Sequence, residues 1–206
     1  VLLGMLPDVG APTTMEVLGQ YVVVSVNKFG EYEEGLASID VSDPSNPFIA
    51  HLFATPGHRP RFLSSSGNYL LAALGKGTLG GDDYILVDYS DPTNPVTVGD
   101  TYFADFRAWE MFIHQGYAYV SIGDSMRIID PGIEASGPVL EGSYDNVGYV
   151  SRIAGVGNVL YLADGGLLDV VELTTPNTLN SVAQYRPSGA ARVVELTGEN
   201  AVVVGA

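Results

Sequence analysis

The sequence contains no cysteine. This absence excludes disulfide bonds, thiolate metal sites and a cysteine nucleophile. Basic residues are also few, since nine lysines and arginines stand against 24 acidic residues and the net charge is −15. A protein that binds nucleic acid needs a cationic surface to neutralise phosphates, so the composition argues against nucleic acid as a partner.

Long apolar runs and known catalytic signatures are missing as well. No apolar run reaches the roughly 18 residues of a transmembrane segment, and no segment shows a helical apolar stripe over three turns. The three histidines, His51, His58 and His114, do not stand at metal-ligand spacing. No P-loop, G-x-S-x-G or G-x-G-x-x-G motif occurs. We therefore expect no metal site and no cofactor.

What the sequence does contain is a phrase that returns along the whole chain. Each copy is a short apolar run, an acidic residue and a turn bracketed by proline. The acidic residues lie 48, 42 and 42 residues apart and are Asp40, Asp88, Asp130 and Glu172. A fixed period of this size is typical of repeat architectures.

Each repeat offers four short strands separated by turn residues. The most regular strand follows a glycine-containing turn, and its copies are Tyr21–Val26, Tyr69–Ala73, Tyr117–Ile122 and Val159–Ala163. Four strands in a repeat of this length match a propeller blade. We predict an all-β fold, a β-propeller of four-stranded antiparallel blades with about five blades visible. A β-sandwich is the alternative, although it does not require this periodicity.

The repeats run near residues 19–66, 67–114, 115–156 and 157–197 of a single domain, 1–206, and residues 1–18 and 198–206 form partial blades. Val1–Met5 is expected to be an outermost strand and Ala201–Val204 a second strand. A marker strand is missing at the ends. The chain is therefore either a fragment of a larger ring or a ring closed by a shared blade, and the start without methionine favours a fragment.

These phrases resemble the LVIVD-repeat family of bacterial and archaeal surface proteins. The matching residues are Gly67-Asn68-Tyr69, Ile85-Leu86-Val87-Asp88, Ser90–Pro95 and Ser42–Pro47. The resemblance covers essentially the whole chain and weakens at Pro131-Gly132 and Thr174-Thr175-Pro176. It implies an extracellular or cell-surface propeller, with the periplasm as an alternative. It carries over no catalytic motif.

The basic residues are concentrated in one kind of segment. Six of the nine lie in the connections between repeats or at the start of the following strand, and they are Arg59, Arg61, Arg107, Arg152, Arg186 and Arg192. In a propeller such connections converge at one mouth of the channel. We predict a ligand-binding face there, composed of Arg59, Arg61, Arg107, Trp109, Tyr149, Arg192 and His58. Arginines with aromatic residues suit a protein loop, an anion or a carbohydrate.

A competing interpretation assigns these arginines to structure. They would then pair with nearby loop carboxylates, namely Asp100, Asp105, Glu110, Asp145 and Glu195. Both interpretations predict an arginine-rich rim, but only the first predicts that ligands bind to it.

The predicted function is a non-catalytic extracellular or cell-surface module for binding or assembly. The alternative is a propeller-type hydrolase or lyase acting at the channel mouth, with Glu110, His58 and Arg61 or Arg107 as candidate groups. We expect the Asp-Pro turns to be capped by their own side chains rather than to bind calcium. Gly80–Asp83 is expected to be a flexible hairpin tip, with a weak ion-binding loop as the alternative.

Overall fold

The computed structural model describes residues 12–26, 34–55, 57–75, 82–103, 107–132, 137–145, 148–197 and 200–205. Every regular element within these ranges is a β-strand. The strands form antiparallel sheets in which neighbours along the chain are also neighbours in the sheet. The chain divides into two compact units, Val1–Arg107 with Gly132–Pro138, and Ala108–Pro131 with Val139–Ala206.

The first unit contains two four-stranded sheets. The first sheet consists of β1 (Met15–Leu18), β2 (Tyr21–Val26), β3 (Gly35–Asp40) and β4 (Phe48–Ala54). The second sheet consists of β5 (Arg59–Ser66), β6 (Tyr69–Gly75), β7 (Asp82–Asp88) and β8 (Val96–Phe103). The first strands of the two sheets, β1 and β5, contact each other.

The second unit contains two further four-stranded sheets and a two-stranded sheet. The third sheet consists of β9 (Glu110–His114), β10 (Tyr117–Ile122), β11 (Ser125–Asp130) and β12 (Val139–Asp145). The fourth consists of β13 (Arg152–Val156), β14 (Val159–Ala163), β15 (Leu168–Thr175) and β16 (Thr178–Tyr185). The fifth consists of β17 (Ala191–Thr197) and β18 (Asn200–Gly205). Within this unit β13 contacts both β9 and β17, so first strands again adjoin.

The turn between the first and second strands explains the recurring glycine of the sequence. Gly19, Gly67 and Gly157 occupy its first position with φ between 54° and 61°. This left-handed conformation is inexpensive for glycine and unfavourable for most other residues. In the third sheet Gln115 takes the same position with a φ of 50°.

A β-bulge recurs at the same place in all four complete sheets. The outermost strand carries one extra residue opposite the last residues of the marker strand. The extra residues are Ala50, Val98, Glu141 and Val182. The repeat seen in the sequence is therefore also a repeat of backbone irregularity, since each extra residue lies two residues after the partner of the marker acid.

The second and third strands of each sheet supply the core. In the first unit Leu36, Leu70 and Val87 are buried in a cluster that joins the two sheets. In the second unit Tyr119 and Met126 of the third sheet pack in one cluster with residues of the fourth, which include Ile153, Leu160 and Val171. Burial on both faces explains why these strands read as continuous apolar runs. The outermost strands β8, β12 and β16 are largely exposed.

The predicted fold class is confirmed as an all-β structure of four-stranded, propeller-like blades. The four strands predicted as equivalent are each the second strand of their sheet. The sequence repeats begin at the glycine-containing turn, whereas each sheet begins with the strand that precedes this turn. For the fourth strand of the fourth sheet the sequence predicts Ser181–Tyr185, but strand β16 begins three residues earlier, at Thr178. Strand β18 pairs with β17, as expected of a second strand, and Val1–Met5 lies outside the described residues.

Candidate functional site

The Asp-Pro turns use their carboxylates internally, as predicted. Asp43 Oδ1 accepts hydrogen bonds from the Ser45 backbone N at 2.9 Å and from its hydroxyl at 2.6 Å. Asp91 Oδ1 accepts the same pair of bonds from Thr93 at 3.0 Å and 2.6 Å. These bonds favour the ionised form and lower the pKa of both aspartates. The carboxylates therefore serve as turn caps.

The marker acids of the first unit have a similar local role. Asp40 Oδ1 accepts a bond from the Ser42 backbone N at 2.8 Å, and Asp88 Oδ1 accepts one from Ser90 N at 2.7 Å. Hydrogen bonds from these serines lower the pKa of both carboxyls. No group of three or more histidine, aspartate or glutamate side chains suited to a metal ion occurs in the ranges that the structure describes.

Sheet register places the predicted rim residues at equivalent positions. In the second to fifth sheets, one residue of the first strand pairs with the fifth residue of the second strand. These first-strand residues are Phe62, Glu110, Arg152 and Val193. The residues immediately before them are Arg61, Trp109, Ser151 and Arg192. Alignment of the repeats on the glycine-containing turn in the sequence predicts the same equivalence. Arg61 belongs to the first unit, whereas the other three belong to the second. A channel mouth shared by residues of both units stays a prediction.

Three of the predicted arginines line one cleft in the first unit. The cleft measures about 480 Å³, and its lining is Thr13, Glu34, Arg59, Arg61, Phe62, Gly75 and Arg107. Three guanidinium groups thus accompany a single carboxylate in the lining. Such a cleft is locally cationic on a chain of net charge −15.

Arg61 is fixed in this cleft by two neighbours that sequence reasoning missed. Its Nη1 lies 3.7 Å from Oδ1 of Asp82, whose side chain is completely buried. Its side chain also crosses Gly75 so closely that a Cβ there would collide with Arg61 Cδ. Both neighbours restrict where the guanidinium can go. Arg61 therefore compensates a buried charge, which agrees with the structural interpretation of the arginines.

The expectation for Gly80–Asp83 is wrong in its second half. Asp82 and Asp83 are not a hairpin tip but the first residues of β7. Asp82 is enclosed beside Arg61, while Asp83 Oδ2 lies 2.8 Å from Nδ1 of His58. In the sequence these two adjacent aspartates suggest a loop, because their basic partners lie more than 20 residues away along the chain.

A buried tyrosine lies near the same ion pair. Tyr84 is completely buried, and burial, together with the charge of Asp82, raises the pKa of its hydroxyl. Arg61 acts on this pKa in the opposite direction. The ring of Tyr84 packs against the ring of Phe103, and their centroids are 5.4 Å apart. The first residues of β7 therefore place the Asp82 carboxylate and the Tyr84 hydroxyl in a largely apolar environment.

The aromatic members of the predicted face belong to the second unit. The rings of Trp109 and Tyr149 have centroids 5.1 Å apart and planes tilted by 59°. Both side chains are exposed. Asp105, one of the predicted carboxylate partners of the arginines, lies outside the described residues.

Ion pairs in the second unit fit the structural interpretation in part. Arg152 lies 3.4 Å from Glu110 through one nitrogen and 3.4 Å from Glu195 through another. Arg192 and Arg186 form no ion pair within the described part of the chain, and both are exposed. The predicted partner Asp145 pairs instead with Arg127, at 3.3 Å.

The candidate enzyme groups do not meet in a single unit. His58 belongs to the first unit and pairs with Asp83, whereas Glu110 belongs to the second and pairs with Arg152. The structure thus gives each candidate its own charged neighbour.

No helix of the described residues is long and apolar enough to cross a membrane. No curated protein matches the chain. The sequence model of the LVIVD repeat matches residues 10–55, 63–102 and 107–146, more than half of the chain. These windows correspond to the first three sheets, and the fourth sheet repeats their strand order without a match of its own. The chain belongs to the LVIVD-repeat family.

Proposed function

We propose that this chain is a non-catalytic binding module at the cell surface or outside the cell, and that its arginine cleft holds an anionic group of a ligand. The ligand class is a carboxylate, sulfate or phosphate carried by a small molecule, a glycan or a protein loop. The observation that carries the proposal is the convergence of Arg59, Arg61 and Arg107 on one cleft.

The electrostatics of the cleft support an anionic ligand. Arg59 and Arg107 are exposed, while Arg61 is half-buried and held by Asp82 and Gly75. A guanidinium that is already held in place loses less conformational entropy when it binds a carboxylate or phosphate. Arginine also recognises such groups in a bidentate way, through two parallel hydrogen bonds.

The proposed location rests on the resemblance to surface proteins set out above. An acidic chain without cysteine is compatible with it. Digestion of intact cells with an added protease would test it, because a surface protein is cleaved under these conditions while cytoplasmic markers survive.

Arg59 is the best residue for testing the cleft. Arg61 is unsuitable, because its removal would leave the buried carboxylate of Asp82 poorly compensated and would destabilise the fold. Charge reversal at Arg61 is therefore expected to lower the melting temperature.

Calorimetric titration with sulfate, citrate and glucuronate should show saturable binding of at least one anion at low salt. Arg59→Gln should weaken that binding about tenfold, since a charge-assisted hydrogen bond contributes ~1.5–3 kcal/mol. Raising NaCl from about 0.02 to about 0.2 M should weaken binding further. Arg186→Gln removes an exposed arginine of the other unit and is the matched control, which should bind like the wild type.

Two results would contradict the proposal. One is the lack of saturable binding by all three anions at low salt. The other is an Arg59→Gln variant that binds as tightly as the wild type and melts at the same temperature.

A hydrolase or lyase is the second candidate, and one observation favours it. His58 Nδ1 lies 2.8 Å from Asp83 Oδ2, so the carboxylate can fix the tautomer of the imidazole. If the bound anion is turned over, His58→Gln should abolish turnover while binding persists. Recovery of the ligand unchanged after prolonged incubation with the wild-type protein would exclude this candidate.

A further inference from the structure

A second ligand-binding surface can be derived from the second unit alone, independently of the arginine cleft. We infer that the Trp109–Tyr149 pair is a stacking platform for a neutral sugar ring of a carbohydrate. Trp109 is 40% exposed and Tyr149 is 48% exposed, and their centroids are 5.1 Å apart. The two side chains therefore present adjacent aromatic surface to solvent.

The two aromatic residues are held in place by one buried serine. The backbone N of Trp109 donates a hydrogen bond to Ser121 O at 2.9 Å. The Ser121 hydroxyl donates to Val150 O, next to Tyr149, at 3.0 Å. Ser121 and Val150 are buried, so the backbones that carry both rings are tied to the core. The platform is therefore preorganised, which lowers the entropic cost of binding.

The size of the apolar patch favours a sugar ring over a protein. A stable protein interface buries about 800 Å² on each partner, whereas two adjacent aromatic side chains provide only a few hundred Å² between them. Next to Trp109 along the chain is Glu110, which belongs to the Glu110–Arg152–Glu195 group of ion pairs. The apolar patch is thus small.

The chemistry of the Trp109–Tyr149 pair matches a hydroxylated ring. A pyranose has an apolar C–H face, which can lie on the electron-rich face of Trp or Tyr. Its hydroxyl groups both donate and accept hydrogen bonds. In the same unit the Arg152 guanidinium is paired with Glu110 and Glu195. Since Arg152 is already paired with carboxylates, this surface does not select strongly for an anion.

The single tryptophan of the chain makes the test direct, because intrinsic tryptophan fluorescence reports on Trp109 alone. The probes are cellohexaose, chitohexaose, maltohexaose and xylohexaose. At least one should change the emission saturably with a Kd below about 1 mM. Tyr149→Ala should weaken this binding about tenfold or more, and Tyr149→Phe, which keeps the ring, should restore most of it. Added NaCl should have little effect, since the ligand is neutral.

Tyr185→Ala is the matched control, because Tyr185 is an exposed tyrosine of the same unit on the outermost strand β16. It should bind like the wild type. The inference is overturned if none of the four oligosaccharides gives a saturable change. It is also overturned if Tyr149→Ala binds as well as the wild type, or if only a decaproline peptide binds, which would assign the pair to a protein partner.

Discussion

The two units close the hairpins between their third and fourth strands in different ways. In the first unit the turn is self-contained, because Asp43 and Asp91 bond to the backbone and hydroxyl two residues ahead. In the fourth sheet the Asp-Pro phrase is lost and β15 passes directly into β16 through Pro176. There the Tyr119 hydroxyl, from the neighbouring sheet, donates to Pro176 O at 2.7 Å. A contact between sheets thus adds to the local bonds of this turn, in which the Thr175 hydroxyl donates to Asn177 Oδ1 at 2.8 Å.

The third and fourth sheets are joined in a second place. His114 Nε2 and Gln115 Nε2 both donate to Gly157 O at 2.7 Å, and Gln115 also reaches Asn158 Oδ1 at 2.9 Å. Gln115 adopts a φ of 50°, which is unfavourable for a residue of this type. Its bonds to the next sheet offset that strain. Decay of the repeat phrase therefore marks a change in how a blade is braced, not the loss of a blade.

The contact between the third and fourth sheets should be the most sensitive part of this comparison. A Cβ on Gly155 would lie 2.9 Å from a Leu160 methyl carbon and 3.0 Å from ring atoms of Phe112 and His114. Gly155→Ala is therefore expected to lower the free energy of unfolding by about 1–3 kcal/mol, the usual cost of overpacking. Urea denaturation followed by circular dichroism measures it.

Gly166→Ala is the control for this substitution. A Cβ on Gly166 would meet only Asp164 Oδ1, at 3.9 Å, and its φ is not in the left-handed region. Its stability should change little. Equal stability of the Gly155→Ala and wild-type proteins would show that the sheets separate easily here.

Two buried tyrosines, one in each unit, differ in whether their hydroxyl groups are hydrogen-bonded. Tyr119 and Tyr84 are both fully buried, but the Tyr119 hydroxyl holds Pro176 O, while the Tyr84 hydroxyl makes no hydrogen bond to any described residue. Tyr119→Phe should destabilise the protein by about 1 kcal/mol. Tyr84→Phe should be neutral or stabilising, because it removes a buried polar group that gains nothing. A larger loss for Tyr84→Phe would contradict this assignment.

The smallest effect concerns acid. Hydrogen bonds lower the pKa of Asp43 and Asp91 below the ordinary 3.8. Their contribution to stability is therefore complete above that value and is lost as the pH falls through the lower folded-state pKa. Hydrogen exchange between about pH 5 and about pH 2.5 should show the β3–β4 and β7–β8 turns opening with acid more than the β15–β16 turn, which has no carboxylate.

Asp43→Asn with Asp91→Asn should reduce that acid sensitivity, since the amide oxygen still accepts both bonds but carries no charge. Asp124→Asn, outside these turns, is the control. An unchanged acid response in the double variant would mean that other carboxylates dominate.

Much of the fold could be predicted from the sequence because its signals are local. Glycine-containing turns and the strand residues after them identify the second strand of every sheet, and the Asp-Pro turns of the first unit identify where its fourth strands begin. The start of β16 was missed because Thr174–Pro176 lacks the turn signal. The hydrogen bonds to Pro176 O and within the turn, seen only in the structure, show how that hairpin is closed.

The candidate site was predictable only in part, because its geometry depends on pairing between distant residues. The register places Arg61 near Asp82 and Gly75. The residues around Asp82 in the sequence do not indicate that its side chain is buried. Likewise Ser121 resembles any strand serine until its two bonds to the aromatic segments are seen.

The repeated bulge has a consequence for how this protein behaves in concentrated solution. Each outermost strand is a sheet edge whose unpaired backbone groups could recruit the edge of another molecule, and β8 and β16 expose Val98, Tyr102, Val182 and Tyr185. The extra residue at Ala50, Val98, Glu141 or Val182 bends that edge and interrupts its flat hydrogen-bonding ladder. Aggregation by edge-to-edge pairing requires a flat edge, so each blade carries its own protection against it.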